Sequence, residues 1–136
     1  MELNEFPRPT DDTGIGVQWS AGYPAAIGMQ RLKERWLPLL RAMGVRWVTF
    51  RHPGGVEFAG LLLEHGIMPV VQLWRPRPYP GRLSPAQIEA LGAYLEAGAR
   101  YFELGEPLDQ PDTWRGGRAP LDALAQVLPG LIADVE

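Results

Sequence analysis

The sequence predicts an α/β fold built from parallel βα units, and three observations carry that prediction. Short β-branched or aromatic runs alternate with longer amphipathic ones along the whole chain, a glycine marks each passage from helix to strand, and Ile67–Trp74 is apolar in near-continuous sequence. A run of that kind marks a strand buried on both faces. The junctions repeat as Ala42-Met43-Gly44-Val45-Arg46-Trp47-Val48, Glu64-His65-Gly66-Ile67-Met68-Pro69-Val70-Val71 and Glu96-Ala97-Gly98-Ala99-Arg100-Tyr101-Phe102. Strands alternating with helices in this way imply right-handed βα connections and a parallel sheet. The chain holds about four such units.

The elements follow in order. Gly14–Trp19 is short, partly β-branched and flanked by glycine, as a first strand should be. Its glycines lack the turn and helix of a dinucleotide fingerprint. From about Ala26 to Met43, the apolar residues Met29, Leu32, Trp36, Leu39, Leu40 and Met43 recur at three- and four-residue steps, which predicts an amphipathic helix. Pro38 must kink or divide it, and Gly44 caps its end. Val45–Phe50 is a second strand, and Arg51-His52-Pro53-Gly54-Gly55 is loop by its chemistry. A second helix over about Val56–His65 buries Phe58, Leu61 and Leu62 and stops at Gly66. Ile67–Trp74 is the third strand, followed by the proline- and arginine-rich loop Arg75–Arg82. The third helix has the best-marked start, with Ser84 as N-cap, Pro85 at the first helical position and Gln87 three residues after the cap. Ile88, Leu91 and Leu95 form its expected buried stripe, and Gly98 ends it.

The fourth strand is Tyr101-Phe102-Glu103-Leu104, running on through Gly105 to Glu106 and Pro107. Pro107 confines Glu106 to extended backbone angles, because the proline ring clashes with a helical neighbour. After a loop over Leu108–Ala119, Leu121–Leu128 is helical, Pro129-Gly130 interrupts it, and Leu131–Glu136 is helical again. That last run ends in mid-pattern, so residues 1–136 are expected to be a single domain cut within its fourth helix.

Composition bounds the function. With 136 residues, a formal charge of -3 and a pI near 5.4, the chain suits one ordinary domain and not a general nucleic-acid binder. It has no cysteine, hence no disulfide framework, thiol nucleophile or cysteine metal site. His52 and His65 are the only histidines and show no ligand spacing, so neither metal nor cofactor is expected. No secretory signal precedes the first strand and no run is long enough to span a bilayer, which makes cytoplasmic the default expectation.

A closed (β/α)8 barrel has eight units in roughly 250 residues. Four units therefore amount to half of one, and the alternatives are a complete small open α/β sheet or a half-barrel that closes by self-association at its open strand edges. In either architecture ligands bind at the carboxyl ends of the strands. Trp19, Arg51, His52, Trp74, Arg75 and Glu106 fall there, with Tyr23, Tyr79 and Trp114 in the loops beyond. Trp19, Trp74 and Trp114 can stack on apolar sugar faces or cap the core against solvent, whereas Trp36 and Trp47 are expected in the core. Gln18, Thr49, Gln72 and Glu103 lie inside strands, where they can form a hydrogen-bonded layer with Arg51 close enough to neutralise a carboxylate.

These residues resemble a known family. The Arg51-bearing second strand end, the apolar third strand, Tyr101–Pro107 and nearby Trp114 together look like the N-terminal half of the (β/α)8-barrel retaining glycoside hydrolases whose fourth strand ends in Asn-Glu-Pro. The resemblance implies that Glu106 is the general acid/base and that Arg51, with Glu103, supports the active-site carboxylates. Trp19, Trp74, Trp114, Gln72 and His52 would then bind a carbohydrate ligand. Gly105 stands where the family has an asparagine that bonds the sugar 2-hydroxyl. The family's nucleophile is a second glutamate on strand seven, beyond the four units here, so this chain alone is expected to be inactive. The competing expectation is a non-catalytic remnant that binds a glycan or a protein partner through its tryptophans.

Overall fold

The three glycine junctions fold as one and the same helix terminator. In the computed structural model, which describes residues 6–20, 26–51, 55–73 and 83–104, Gly44, Gly66 and Gly98 have φ of 81°, 65° and 99°. Only glycine enters that left-handed region without steric cost. Each glycine N–H bonds the carbonyl three residues back, and the next N–H bonds the carbonyl five back, pairing Val45 with Leu40, Ile67 with Leu62 and Ala99 with Tyr94. This is the Schellman arrangement, and the apolar contact that accompanies it is present because all six of those residues are buried. Arginines add further donors at these helix ends, on carbonyls of the last turn and of the residues just after it. Arg46 donates to Arg41 and Val45, Arg100 donates to Leu95 and Ala99, and Arg41 reaches across to His65 and Gly66. A cation at a helix C-terminus also meets the negative end of the helix dipole.

Between these junctions lie β1 (Gly16–Trp19), β2 (Trp47–Arg51), β3 (Met68–Leu73) and β4 (Tyr101–Leu104). Helix α1 runs as the consecutive segments Met29–Arg31, Leu32–Trp36 and Leu37–Ala42, α2 is Val56–Glu64 and α3 is Pro85–Glu96. All strand pairs are parallel and the sheet order is β1-β2-β3-β4. Pro69 costs the ladder nothing. Met68 donates to Arg46 on the β2 side, so residue 69 faces β4, whose pairing starts only at Val70 opposite Tyr101.

Consecutive strand order with right-handed crossovers carries every connecting helix to the same side of the sheet. Burial agrees. Val48, Phe50, Val71 and Leu73 lie on one face within a core shared with Leu32, Leu37, Phe58, Leu62, Leu91 and Tyr94. Gln18, Thr49, Arg51, Val70, Gln72 and Glu103 alternate with them and stay half-buried or exposed. Among the described residues the sheet therefore has a helix-packed face and an open face.

Two expected helix faces require correction. In α1, Leu32, Leu37 and Leu40 are buried, whereas Leu39 and Met43 are 46% and 60% exposed. The cause is a π-helical turn over Leu32–Trp36, closed by the Leu37 N–H on the Leu32 carbonyl five residues back. One extra residue in the turn moves the buried stripe on by one position, from Trp36 to Leu37 and then Leu40. The widened turn also accommodates Pro38, which has no N–H to give and crowds the preceding turn. In α3, Leu91 and Tyr94 are buried, but Ile88 and Leu95 are 46% and 39% exposed. Its face is turned toward Tyr94 because that ring stacks edge-on against Phe50 at 6.1 Å, contributing more buried area than a leucine. The start of α3 is as expected, with the full Ser84–Gln87 capping box.

The residues before β1 cross the amino ends of the strands. Asp11 pairs with Arg46 at 2.7 Å and Arg41 at 3.1 Å, Asp12 accepts from the Trp47 indole at 2.7 Å and the Gly14 amide at 2.9 Å, and Thr13 bonds the Gly44 carbonyl. The Pro7 carbonyl accepts from the Tyr101 hydroxyl at 2.9 Å. Trp47, expected in the core, instead stands on the open face against Tyr101, with ring centroids 5.2 Å apart. Among the described residues no helix is long and apolar enough to cross a membrane.

Two outcomes are expected. Leu37→Ala should cost about 2–5 kcal/mol in denaturant unfolding, as for a buried leucine, and Leu39→Ala or Met43→Ala no more than about 0.5 kcal/mol, as for surface changes; an unbroken 3.6-residue helix gives Leu39 the larger cost. The second concerns acid. The hydrogen bond from Arg46, with the charges of Arg46 and Arg41, holds the Asp11 carboxyl below its ordinary 3.8. The Gly14 amide and the Trp47 indole do the same for Asp12. Depressed values mean that the ionised acids stabilise the fold above 3.8 and that this support is lost as pH falls through their lower folded values. Thermal melts between about pH 5 and about pH 2 should steepen in that window, and Asp11→Asn should flatten the dependence.

Candidate functional site

Strand periodicity and parallel register together determine what meets on the open face. Successive side chains alternate between faces, and the register aligns Arg51 with Gln72 and Gln72 with Glu103. These three residues form one row across the carboxyl ends of β2, β3 and β4. The Arg51 Nε donates to Gln72 Oε1 at 2.7 Å, and Gln72 Nε2 donates to Glu103 Oε2 at 3.0 Å. The Gln72 amide is thereby oriented at both ends, its oxygen toward the cation and its nitrogen toward the anion. Gln72 bridges two charges that do not touch.

Arg51 is the last residue of β2 and not the first of a loop, which is what brings it into the row. Its Nη edge has no partner among the described residues, nor do the side chains of Gln18 and Thr49, which align in the row beneath. Tyr101 ends that same row on β4, opposite Val70, and meets Trp47, which with Met68 forms the row below against the segment before β1; Phe6 lies tilted 6.5 Å from Tyr101. The open face is thus graded along its strands, with an aromatic closure at the amino ends, neutral hydrogen-bonding groups in the middle and a charged row at the carboxyl ends.

Of the tryptophans expected to line the site, Trp19 closes β1 on the opposite, helix-packed face. Its ring lies 6.0 Å from Trp36 in a T-shaped pair and 5.8 Å from Phe58. It borders a cavity of about 250 Å³ with Gln18, Ser20, Ile27 and Trp36, and its indole nitrogen is buried without a partner among the described residues. Strand parity explains this, since Gln18 points to the open face and its neighbour cannot. His52, Trp74, Glu106 and Trp114 lie outside the described residues. A roomier concavity of about 500 Å³ lies among the helices, lined by Lys33, Glu57, Gly60 and Glu64 among others; it carries no arrangement comparable to the row.

Sequence reasoning placed Arg51, Gln72 and Glu103 near one another but missed that Gln72 is the link. Spacing could not have shown it, because Arg51 stands seven residues after Gly44, Gln72 six after Gly66 and Glu103 five after Gly98, and only the strand register aligns them. It also missed the ion pairs of Asp11, for which the only trace was an arginine two residues after Gly44. His65 has its Nδ1 2.9 Å from the Leu61 carbonyl at the end of α2, consistent with a helix-end role. Among the described residues no group of three or more histidine and acidic side chains could hold a metal ion. Comparison of the chain with protein-family models, curated proteins and solved structures found no match.

Proposed function

We propose that the chain is the N-terminal half of a (β/α)8 barrel resembling the retaining glycoside hydrolases, in which Glu106 is the general acid/base. The observation that carries this reading is the singly wound parallel sheet of order β1-β2-β3-β4, whose open face bears Arg51, Gln72 and Glu103 at the strand ends where barrel enzymes hold their sites. A sheet with helices on one side only leaves the other side to be enclosed by closure, and a polar inner face suits an enclosed site for a hydroxyl-rich ligand.

In that mechanism Glu106 donates its proton to the glycosidic oxygen as the bond to the anomeric carbon breaks, while a carboxylate from outside this chain attacks that carbon. Glu106, then ionised, takes a proton from the water that releases the sugar. The two carboxyl groups must stand about 5–5.5 Å apart for retention. Arg51 and Glu103 set the local field, and Gln72 keeps the guanidinium aligned. A second reading is favoured by Gly105 in the place of the family's asparagine: a barrel of this kind that binds a glycan or protein partner without cleaving it.

The test is made in the complete polypeptide that carries this chain. Glu106→Gln should lower kcat/KM for glycosides with poor leaving groups by at least about a hundredfold, the usual range of general acid catalysis, and leave activated aryl glycosides much less affected. Equal losses on both would remove the acid role. Saccharide binding with no turnover of any glycoside would select the non-catalytic reading.

A further inference from the structure

The row across the open face is electrically polar: a cation on β2, a neutral amide on β3 and a carboxylate on β4. Neighbouring strands lie about 4.8 Å apart, so the backbones carrying Arg51 and Glu103 are about 10 Å apart, roughly the span of one sugar ring with its substituents. Gln72 occupies the Nε of Arg51 and leaves the Nη edge without a partner among the described residues. A planar guanidinium edge pairs two nitrogens with an oxyanion. We infer that Arg51 is the recognition site for an oxyanion carried on the sugar, so that the ligand is an acidic saccharide, a hexuronic acid unit, oriented with its carboxylate on Arg51 and its hydroxyls donating toward Glu103.

This rests on the saccharide reading above and adds to it the substrate class and the direction in which the sugar lies. Three features of the face converge on it. Arg51 is half-buried, and a desolvated guanidinium gains more from an oxyanion than one in bulk water. Gln18 and Thr49, aligned beneath it, present amide and hydroxyl groups to a polyol. Glu103 repels an anion at the β4 end, which leaves the sugar acid one favourable orientation. Gln72 is a positioning residue here. It touches the guanidinium through its oxygen, and without it Arg51 is free to swing onto Glu103 and neutralise itself.

The test is titration calorimetry of the full chain with glucuronate, galacturonate, glucose, glucose 6-phosphate and inorganic phosphate. The uronates should bind at least about tenfold more tightly than glucose, the equivalent of one modest charge-assisted contact. Raising ionic strength should shrink that ratio. Arg51→Gln should abolish the ratio, Arg51→Lys should retain part of it, and Gln72→Leu should reduce it with the circular dichroism spectrum and melting temperature kept near wild type. A merely structural role for either residue would lower the affinities for uronate and glucose together and leave their ratio unchanged, which would overturn the inference. Equal affinity for uronate and glucose, or a preference for glucose 6-phosphate or free phosphate over the uronates, would overturn it too. If neutral glycosides are bound or hydrolysed without any preference for acidic ones, only the acidic ligand falls; if no saccharide binds in either form, the saccharide reading falls with it.

Discussion

The handedness of the βα connection is the constraint on which the rest of this molecule depends. Each strand is laid beside its predecessor in sequence order, and a connection of fixed hand then has no choice of side. Every described helix lands on one face, where it buries the alternate residues of β2 and β3, and the described strand residues of opposite parity are left on the other. Neither the row of Arg51, Gln72 and Glu103 nor the aromatic cluster around Trp47 requires a special local device. Both follow from parity and register once the sheet is wound in a single direction.

Two devices hold that winding in place. The first is the repeated helix end, in which a left-handed glycine, a five-residue return bond and an arginine on the last carbonyls turn the chain sharply enough to start the next strand directly beneath. The second is the segment of residues 6–15, which crosses the amino ends of the strands and ties β2 and β4 together through Trp47, Arg46 and Tyr101. The end of the sheet opposite the charged row is thereby closed. A ligand on the open face would enter from the carboxyl end, where the row is.

The sequence made the architecture legible because its strongest signals were local and repeated. Gly44, Gly66 and Gly98, each followed by a buried residue, state a helix end and a strand start without reference to anything distant. What it obscured came from elsewhere. The π turn in α1 results from Pro38 acting on the turn before it, and a strict 3.6-residue reading therefore assigned Leu39 and Met43 to the core in place of Leu37. The α3 stripe was misassigned because Ile88 and Leu95 are more apolar than Tyr94, while it is the tyrosine ring that fills the space beside Phe50. At the site, Arg51 and Glu103 were picked out by charge and Gln72 by its place inside a strand. Their connection depended on register, which composition does not encode. Trp19 was grouped with the rim by its position at a strand end, but its parity turns it toward Phe58 and Trp36.

The absence of cysteine allows the single-sided winding to be measured directly. Thr49→Cys and Val48→Cys place one thiol each on adjacent residues of β2, the first on the open face and the second on the helix-packed face, and the rate of labelling by a small thiol reagent under native conditions reports which is covered. The account predicts rapid labelling at position 49 and protection at position 48 that is lost only on unfolding. Equal protection at both positions in the 136-residue chain as a monomer, where no second half or second copy can enclose the open face, would mean that helices cover the sheet on both sides, and the open face with its charged row would not exist.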